Sequence, residues 1–203
     1  YREKKMPLWG ATDSDESKPK NLTTAQKKQV FANASGWVLE AGSALSGNDN
    51  TDADPEVLVA IGELSTSIGA ADITEVEMVT TTADKSEGFT ISVRVRYNEP
   101  VDVVTTGGTP TLAVTNDNSG TGSGRGPHSL SYASGTGTNE LIFSLAIAAA
   151  NAATNADDVL SVGAQTIALN SGTIKDASGT ASDAARVISG ALGTAAGTVT
   201  VTA

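Results

Sequence analysis

Cysteine is absent from this 203-residue chain, histidine occurs once, and aromatic residues make up only 4% of it. Without cysteine there is no disulfide, no thiolate zinc site and no cysteine nucleophile. A lone histidine, His128, leaves the usual transition-metal sites without a ligand set. With so few rings, a core must be assembled from Val, Ile, Leu and Ala. Long apolar runs are missing too, and none approaches the roughly 20 residues that span a bilayer. The first residues lack the hydrophobic core of a secretory signal, and Met6 is a candidate start preceded by Tyr1–Lys5.

What is present favours strands. Twenty-one glycines, with abundant Thr, Ser, Ala and Asn, suit short strands and tight turns. The formal charge of −10 is unevenly placed. Residues 1–28 hold seven Lys/Arg against four Asp/Glu, whereas residues 29–203 hold six against nineteen. An acidic body argues against nucleic acid or anionic membrane as a partner. A basic tip on that body suits docking onto an acidic neighbour, and solvated terminal charges would look much the same.

The pattern changes near residues 70–72. Before it, apolar residues form isolated clusters: Pro7-Leu8-Trp9, Val30-Phe31, Trp37-Val38-Leu39 and Val57 to Ile61. Thr23 to Lys28 reads as a capped helical turn, and 37–40 and 56–61 read as short strands. The expectation is an extended arm over residues 1–71 that orders against a partner; the alternative is that the clusters fold back onto the rest. From Asp72 a period of two takes over, with Phe89, Ile91, Val93, Val95 and Tyr97 alternating with Thr90, Ser92, Arg94, Arg96 and Asn98. Further strands are expected around Leu112–Val114, Leu130–Tyr132, Leu141–Ile147, Val159–Val162, Gln165–Leu169 and Thr198–Thr202. Seven or more short strands over residues 72–203 predict an all-β sandwich or barrel.

Four blocks resemble the immunoglobulin-like repeats of large bacterial surface proteins and some phage proteins. They are Ile91 to Val101, Gly108-Thr109-Pro110-Thr111-Leu112, Ser131 to Leu141 and Ala168 to Gly179. The resemblance implies an immunoglobulin-like antiparallel β-sandwich. Met6-Pro7-Leu8-Trp9-Gly10, Ser35-Gly36-Trp37-Val38 and Pro55 to Gly62 resemble the opening of virion structural proteins of tailed phages, especially those infecting marine cyanobacteria. That likeness implies a place on a virion, on the capsid, neck or tail.

Catalytic patterns are weak. His128 lacks a nucleophile elbow around any serine and follows a glycine-rich stretch, where an exposed position is expected. Gly120 to Gly126 has neither phosphate-loop spacing and reads as a hairpin tip, with Arg125 and His128 as candidate host contacts. Paired carboxylates could serve glycoside hydrolysis, but the chain is poor in groove-lining Trp and Tyr. For Ca²⁺, the Asn48–Asp54 run has alternating oxygens but Pro55 where the turn glycine belongs. Glu99, Asp102, Asp157, Asp158 and Asp176 are the remaining candidate ligands if they converge at one end of the sandwich, and scattered surface carboxylates otherwise.

The expected function is therefore non-enzymatic. The chain reads as a multi-copy virion structural protein, displayed on the particle surface after assembly in the host cytoplasm. A capsid decoration or cement role comes first, with a neck, tail or fibre component or a glycan-binding adhesin as the alternative. Trp9, Trp37, Val57, Leu58 and Ile61 are the candidate docking contacts to a capsid or other virion protein, and Lys4, Lys5, Lys18, Lys20, Lys27 and Lys28 would steer them electrostatically.

Overall fold

The computed structural model describes residues 18–19, 22–118, 127–178 and 181–203. Thr23 opens the first continuous stretch. Its hydroxyl accepts from Gln26 N while the Gln26 side chain accepts from Thr23 N, a capping box that starts the single-turn helix α1 (Thr24–Lys27). Three strands follow: β1 (Val30–Asn33), β2 (Gly36–Leu39) and β3 (Glu56–Ala60), paired antiparallel in that order. Asn33 faces Gly36 across a two-residue turn, and the Asn33 carboxamide oxygen accepts from Ser35 N at 2.8 Å. Val30, Ala32, Trp37 and Leu39 then bury one face of this small sheet against Leu64 and Ile68.

The described residues from 22 onward thus form a folded layer, and the expected extended arm is corrected there. Val30–Asn33, in sequence one of the isolated apolar clusters, supplies a partner strand for β2. With it, Trp37 falls to 2% exposure inside this chain. Burying such a ring is worth about 1.5–3 kcal/mol, so the layer needs no foreign surface to cover it.

The rest of the chain builds one large curled sheet. Its strands are β4 (Ile73–Met78), β5 (Ala83–Asp84), β6 (Phe89–Val104), β7 (Thr111–Asn118), β8 (His128–Ser134), β9 (Thr138–Ile147), β10 (Asp158–Ser161), β12 (Thr173–Asp176) and β14 (Thr198–Thr202); β11 (Gln165–Thr166) and β13 (Val187–Ile188) pair separately, and α2 (Gly190–Ala195) precedes β14. The order is β12-β6-β9-β8-β7-β10-β14-β5, with β4 also beside β6. Every named pairing is antiparallel except β14 with β5.

Sixteen residues make β6 long enough to carry two neighbours on one edge. β4 lies opposite Val93–Tyr97 and β12 opposite Val101–Val104. The register with β9 jumps between Arg96 and Val101, where Pro100 has no N–H to donate. Period two then works as expected. Ile91, Val93, Val95 and Tyr97 point inward, opposite Leu145, Phe143 and Leu141 of β9 for the first three, and share one core with Leu112, Val114, Leu160, Val199 and Val201. Strands from both ends of the sheet meet in that core, so the sheet has curled onto itself. The segment 73–84 makes the closure: Met78 N donates to Ala196 O at 2.9 Å and Lys85 N to Thr202 O at 3.1 Å.

Gly36 marks the tightest backbone approach in the N-terminal layer. Its φ is +133°, and a Cβ there would lie 2.0 Å from Val59 O and 2.6 Å from Ile61 N. Gly36→Ala should cost about 1–3 kcal/mol in urea unfolding, whereas Gly62→Ala, with open space around it, should stay within about 0.5 kcal/mol of wild type.

Candidate functional site

The alternation on β6 sends Arg94 and Arg96 to the outer face, and β4 places Glu75 and Glu77 beside them, Glu75 opposite Arg96 and Glu77 opposite Arg94. That face is not simply wet. The N-terminal layer covers it, leaving Arg96 9% exposed. The Arg96 guanidinium reaches Glu75 Oε2 at 2.6 Å, Glu40 Oε2 at 3.2 Å and the Glu140 carboxylate. Lys28 Nζ holds the other Glu75 oxygen at 2.6 Å, Asn139 Nδ2 donates to Glu40 Oε1 at 2.9 Å, and Arg94 pairs with Glu77 and Glu140. Glu40 and Lys28 belong to the layer, and the remaining groups to the large sheet. A planar five-donor guanidinium is suited to serving several carboxylates at once.

Burial and pairing compete in this cluster. Burial pushes the Glu40 carboxyl up, against the pull of Arg96 and the Asn139 hydrogen bond. Burial acts on Glu75 in the same sense, but the Lys28 and Arg96 hydrogen bonds and charges outweigh it and hold that carboxyl below its usual range. Burial would lower Arg96, and Glu40, Glu140 and Glu75 together raise it instead. Lys18, whose Nζ donates to Lys27 O at 2.8 Å, is lowered to about 8, chiefly by burial.

His128 is 6% exposed in β8, so the expected exposed contact is corrected. The ring belongs to the inward-facing set of that strand, with Leu130. Asn116 Nδ2 lies 3.3 Å and Thr154 Oγ1 3.2 Å from its Nε2, and Asn116 Nδ2 also donates to Ala153 O at 2.7 Å. Burial lowers the His128 pKa, with the Asp158 charge opposing. Thr154 is fully buried, so the group fastens β7, β8 and the 151–158 turn together.

The five candidate Ca²⁺ ligands separate. Glu99 and Asp176 meet at Ser178, whose Oγ lies 3.2 Å from Glu99 Oε2 and 2.6 Å from Asp176 Oδ1, and which also donates to Ser65 O of the N-terminal layer at 2.6 Å. Asp102 lies on β6, accepting from Thr136 Oγ1 at 3.5 Å, Asp157 precedes β10, and Asp158 accepts from Asn155 N. Among the described residues no group of three or more potential ligands forms, so the condition on which these five would serve as ligands, convergence at one end, is not met among them. The Asn48–Asp54 run spends its oxygens on backbone turns instead, Asn48 Oδ1 accepting from Asn50 N and Asn50 Oδ1 from Asp52 N, both at 3.0 Å.

Of the docking candidates, Trp37 is core, Leu58 and Ile61 are half-buried against its cluster, and Val57 is 48% exposed on β3. Trp9, Arg125, Lys4, Lys5 and Lys20 lie outside the described residues. Glu40, Glu75, Glu140 and Asn139 carry no motif that singles them out in the sequence. Glu75 and Glu77 do show one signal, since they alternate with Val76 and Met78 on β4 as Arg94 and Arg96 alternate with apolar residues on β6. No family model, curated protein or solved structure matches the chain.

Arg96→Met takes the shared cation from three carboxylates, leaving Glu75 with Lys28, Glu140 with Arg94 and Glu40 with only the Asn139 amide, and should cost about 3–5 kcal/mol in chemical denaturation at pH 7. Because folding lowers the Glu75 carboxyl and raises that of Glu40, Glu75→Gln should destabilise more than Glu40→Gln at that pH. The Glu75 contribution is present above the unfolded carboxylate pKa and lost as pH falls through its lowered folded value. Glu75→Gln should therefore lose less stability on acidification than wild type. The single imidazole resonance of His128 should titrate below its position in the denatured chain. Its stabilisation is likewise present above the unfolded histidine pKa and lost as pH falls through the folded one.

Proposed function

We propose that this chain is a non-enzymatic structural protein of a tailed-phage virion, a capsid decoration or cement subunit. In this reading its N-terminal residues dock on neighbouring subunits, and it displays an immunoglobulin-like sandwich at the particle surface. The strand order supports the second part. An immunoglobulin-like sandwich has an ABED half and a CFG half; β4, β6, β9 and β8 follow the first order, and β7, β10 and β14 the second. The segment 73–84 starts on β6 and ends parallel to β14, tying the two halves together.

The observation that carries the docking part is the junction at Arg96. The N-terminal layer is locked by ion pairs to the domain it would anchor, so a load on the layer passes directly to the sandwich. At the same time β3 leaves Val57 exposed at the outer edge of that layer. Residues 1–17 add Arg2, Lys4 and Lys5 together with Leu8 and Trp9. Each large side chain buried on docking contributes about 1.5–3 kcal/mol, and many equivalent copies on a particle act together.

Particles stripped of this protein provide the test. Wild-type chain should co-sediment with them, and a chain lacking residues 1–17 should bind at least about tenfold more weakly, the equivalent of losing roughly 1.4 kcal/mol. Equal binding by both would remove the anchoring role from the N-terminus. Binding of the shortened chain to host glycans, with none to particles, would replace the cement reading with an adhesin.

A further inference from the structure

The sheet order β1-β2-β3 leaves β3 at an edge, and among the described residues its only partner is β2. Glu56-Val57-Leu58-Val59-Ala60 is rich in β-branched residues, lies largely open to solvent, and contains no proline or lysine to block it. Such an edge is a template for another strand. The stretch of sequence that contains it carries one sign of charge. No Lys or Arg occurs between Lys28 and Lys85, and Asp49, Asp52, Asp54, Glu56 and Glu63 are all exposed around the strand.

We infer that the free edge of β3 receives the N-terminal segment of a second copy, within Arg2-Glu3-Lys4-Lys5-Met6-Pro7-Leu8-Trp9, as a fourth strand of the layer. This rests on the docking reading above and names its acceptor. Arg2, Lys4 and Lys5 supply the charge that β3 and its flanks lack, and Met6 and Leu8, two residues apart, give one apolar face to set against Val57. Pro7 is compatible with the outermost strand of a sheet, where its missing N–H would face solvent. The chain's own segment enters the layer on the far side, where Lys18 is bonded beside α1 and β1 forms the opposite edge. All four β2 residues between the two edges are buried, so both faces that a crossing segment would follow are already covered. Seventeen residues extend at most about 56–60 Å, which is ample to reach a neighbour.

Because the chain has no cysteine, single cysteines report cleanly. Full-length Leu8→Cys and Val57→Cys chains, mixed and treated with a short bis-maleimide, should form the mixed dimer well above a Val57→Cys, Glu56→Lys control. A salt titration should weaken it. In the double variant Leu8→Cys/Val57→Cys, cross-linking should yield dimers and longer chains; cross-linking confined within single chains would overturn the inference in favour of self-occupancy. Val57→Cys homodimers without the mixed product would overturn it in favour of β3 pairing with β3. Absence of any cross-linked product would mean that β3 is not the acceptor. The same variants offered to stripped particles separate the two ideas: particle binding without the cross-link leaves the cement reading standing alone, and the cross-link without particle binding leaves only self-association.

Discussion

A guanidinium held at 9% exposure needs compensation from several directions, and Arg96 draws it from Glu40, Glu75 and Glu140 on three different parts of the chain. Glu75 and Glu140 reach it from the strands on either side of β6. Glu40 arrives from the N-terminal layer, just beyond β2. Removing water from this set would be costly if any partner were absent, because an uncompensated buried charge is far more expensive than an exposed one. The layer therefore has a specific seat on the sheet. Its location is set by charge geometry, while the apolar cluster around Trp37 holds the layer together internally.

The same strand solves the closure of the large sheet. β6 is long enough to hold β4 and β12 end to end on one edge, and the irregularity around Pro100 separates the two pairings. β4 then continues into β5 at the opposite end of the sheet, so a single short segment links both edges. Edge strands are a hazard when left open, and this fold uses the 73–84 segment to leave few of them. Among the described residues β1 and β3 both remain edges of the small sheet, and the acidic residues flanking β3 oppose pairing between identical edges.

Much of the large sheet was legible as period two. The inward set Ile91, Val93, Val95 and Tyr97 and the strands around Leu112–Val114, Leu130–Tyr132, Leu141–Ile147 and Thr198–Thr202 follow from alternation, whereas β7 runs on to Asn118 through residues that read as loop. The short strands β4, β5, β12 and β13 escaped, and so did three further features. α2, with Gly190 and Gly193, has too little helical propensity to announce itself. His128 looked like a loop residue because the glycine-rich stretch precedes it, yet strand parity with Leu130 turns it inward. Val30-Phe31 looked too short to count as a strand, and it is a strand only because the Asn33–Gly36 turn folds it onto β2.

By itself, then, the amino-acid order determined the all-β class, the acidic body and basic N-terminus, and which face of β6 would be apolar, because these depend on composition and on the two-residue repeat of an extended chain. It could not determine that the polar face of β6 would be covered, that Trp37 would be core rather than contact, or that the five candidate metal ligands would disperse. Those outcomes depend on pairings between residues far apart in sequence, such as Arg96 with Glu40 and Asp176 with Glu99 through Ser178. Only the closed sheet brings such groups within hydrogen-bonding distance, and only burial in that setting decides whether each charge stays paired.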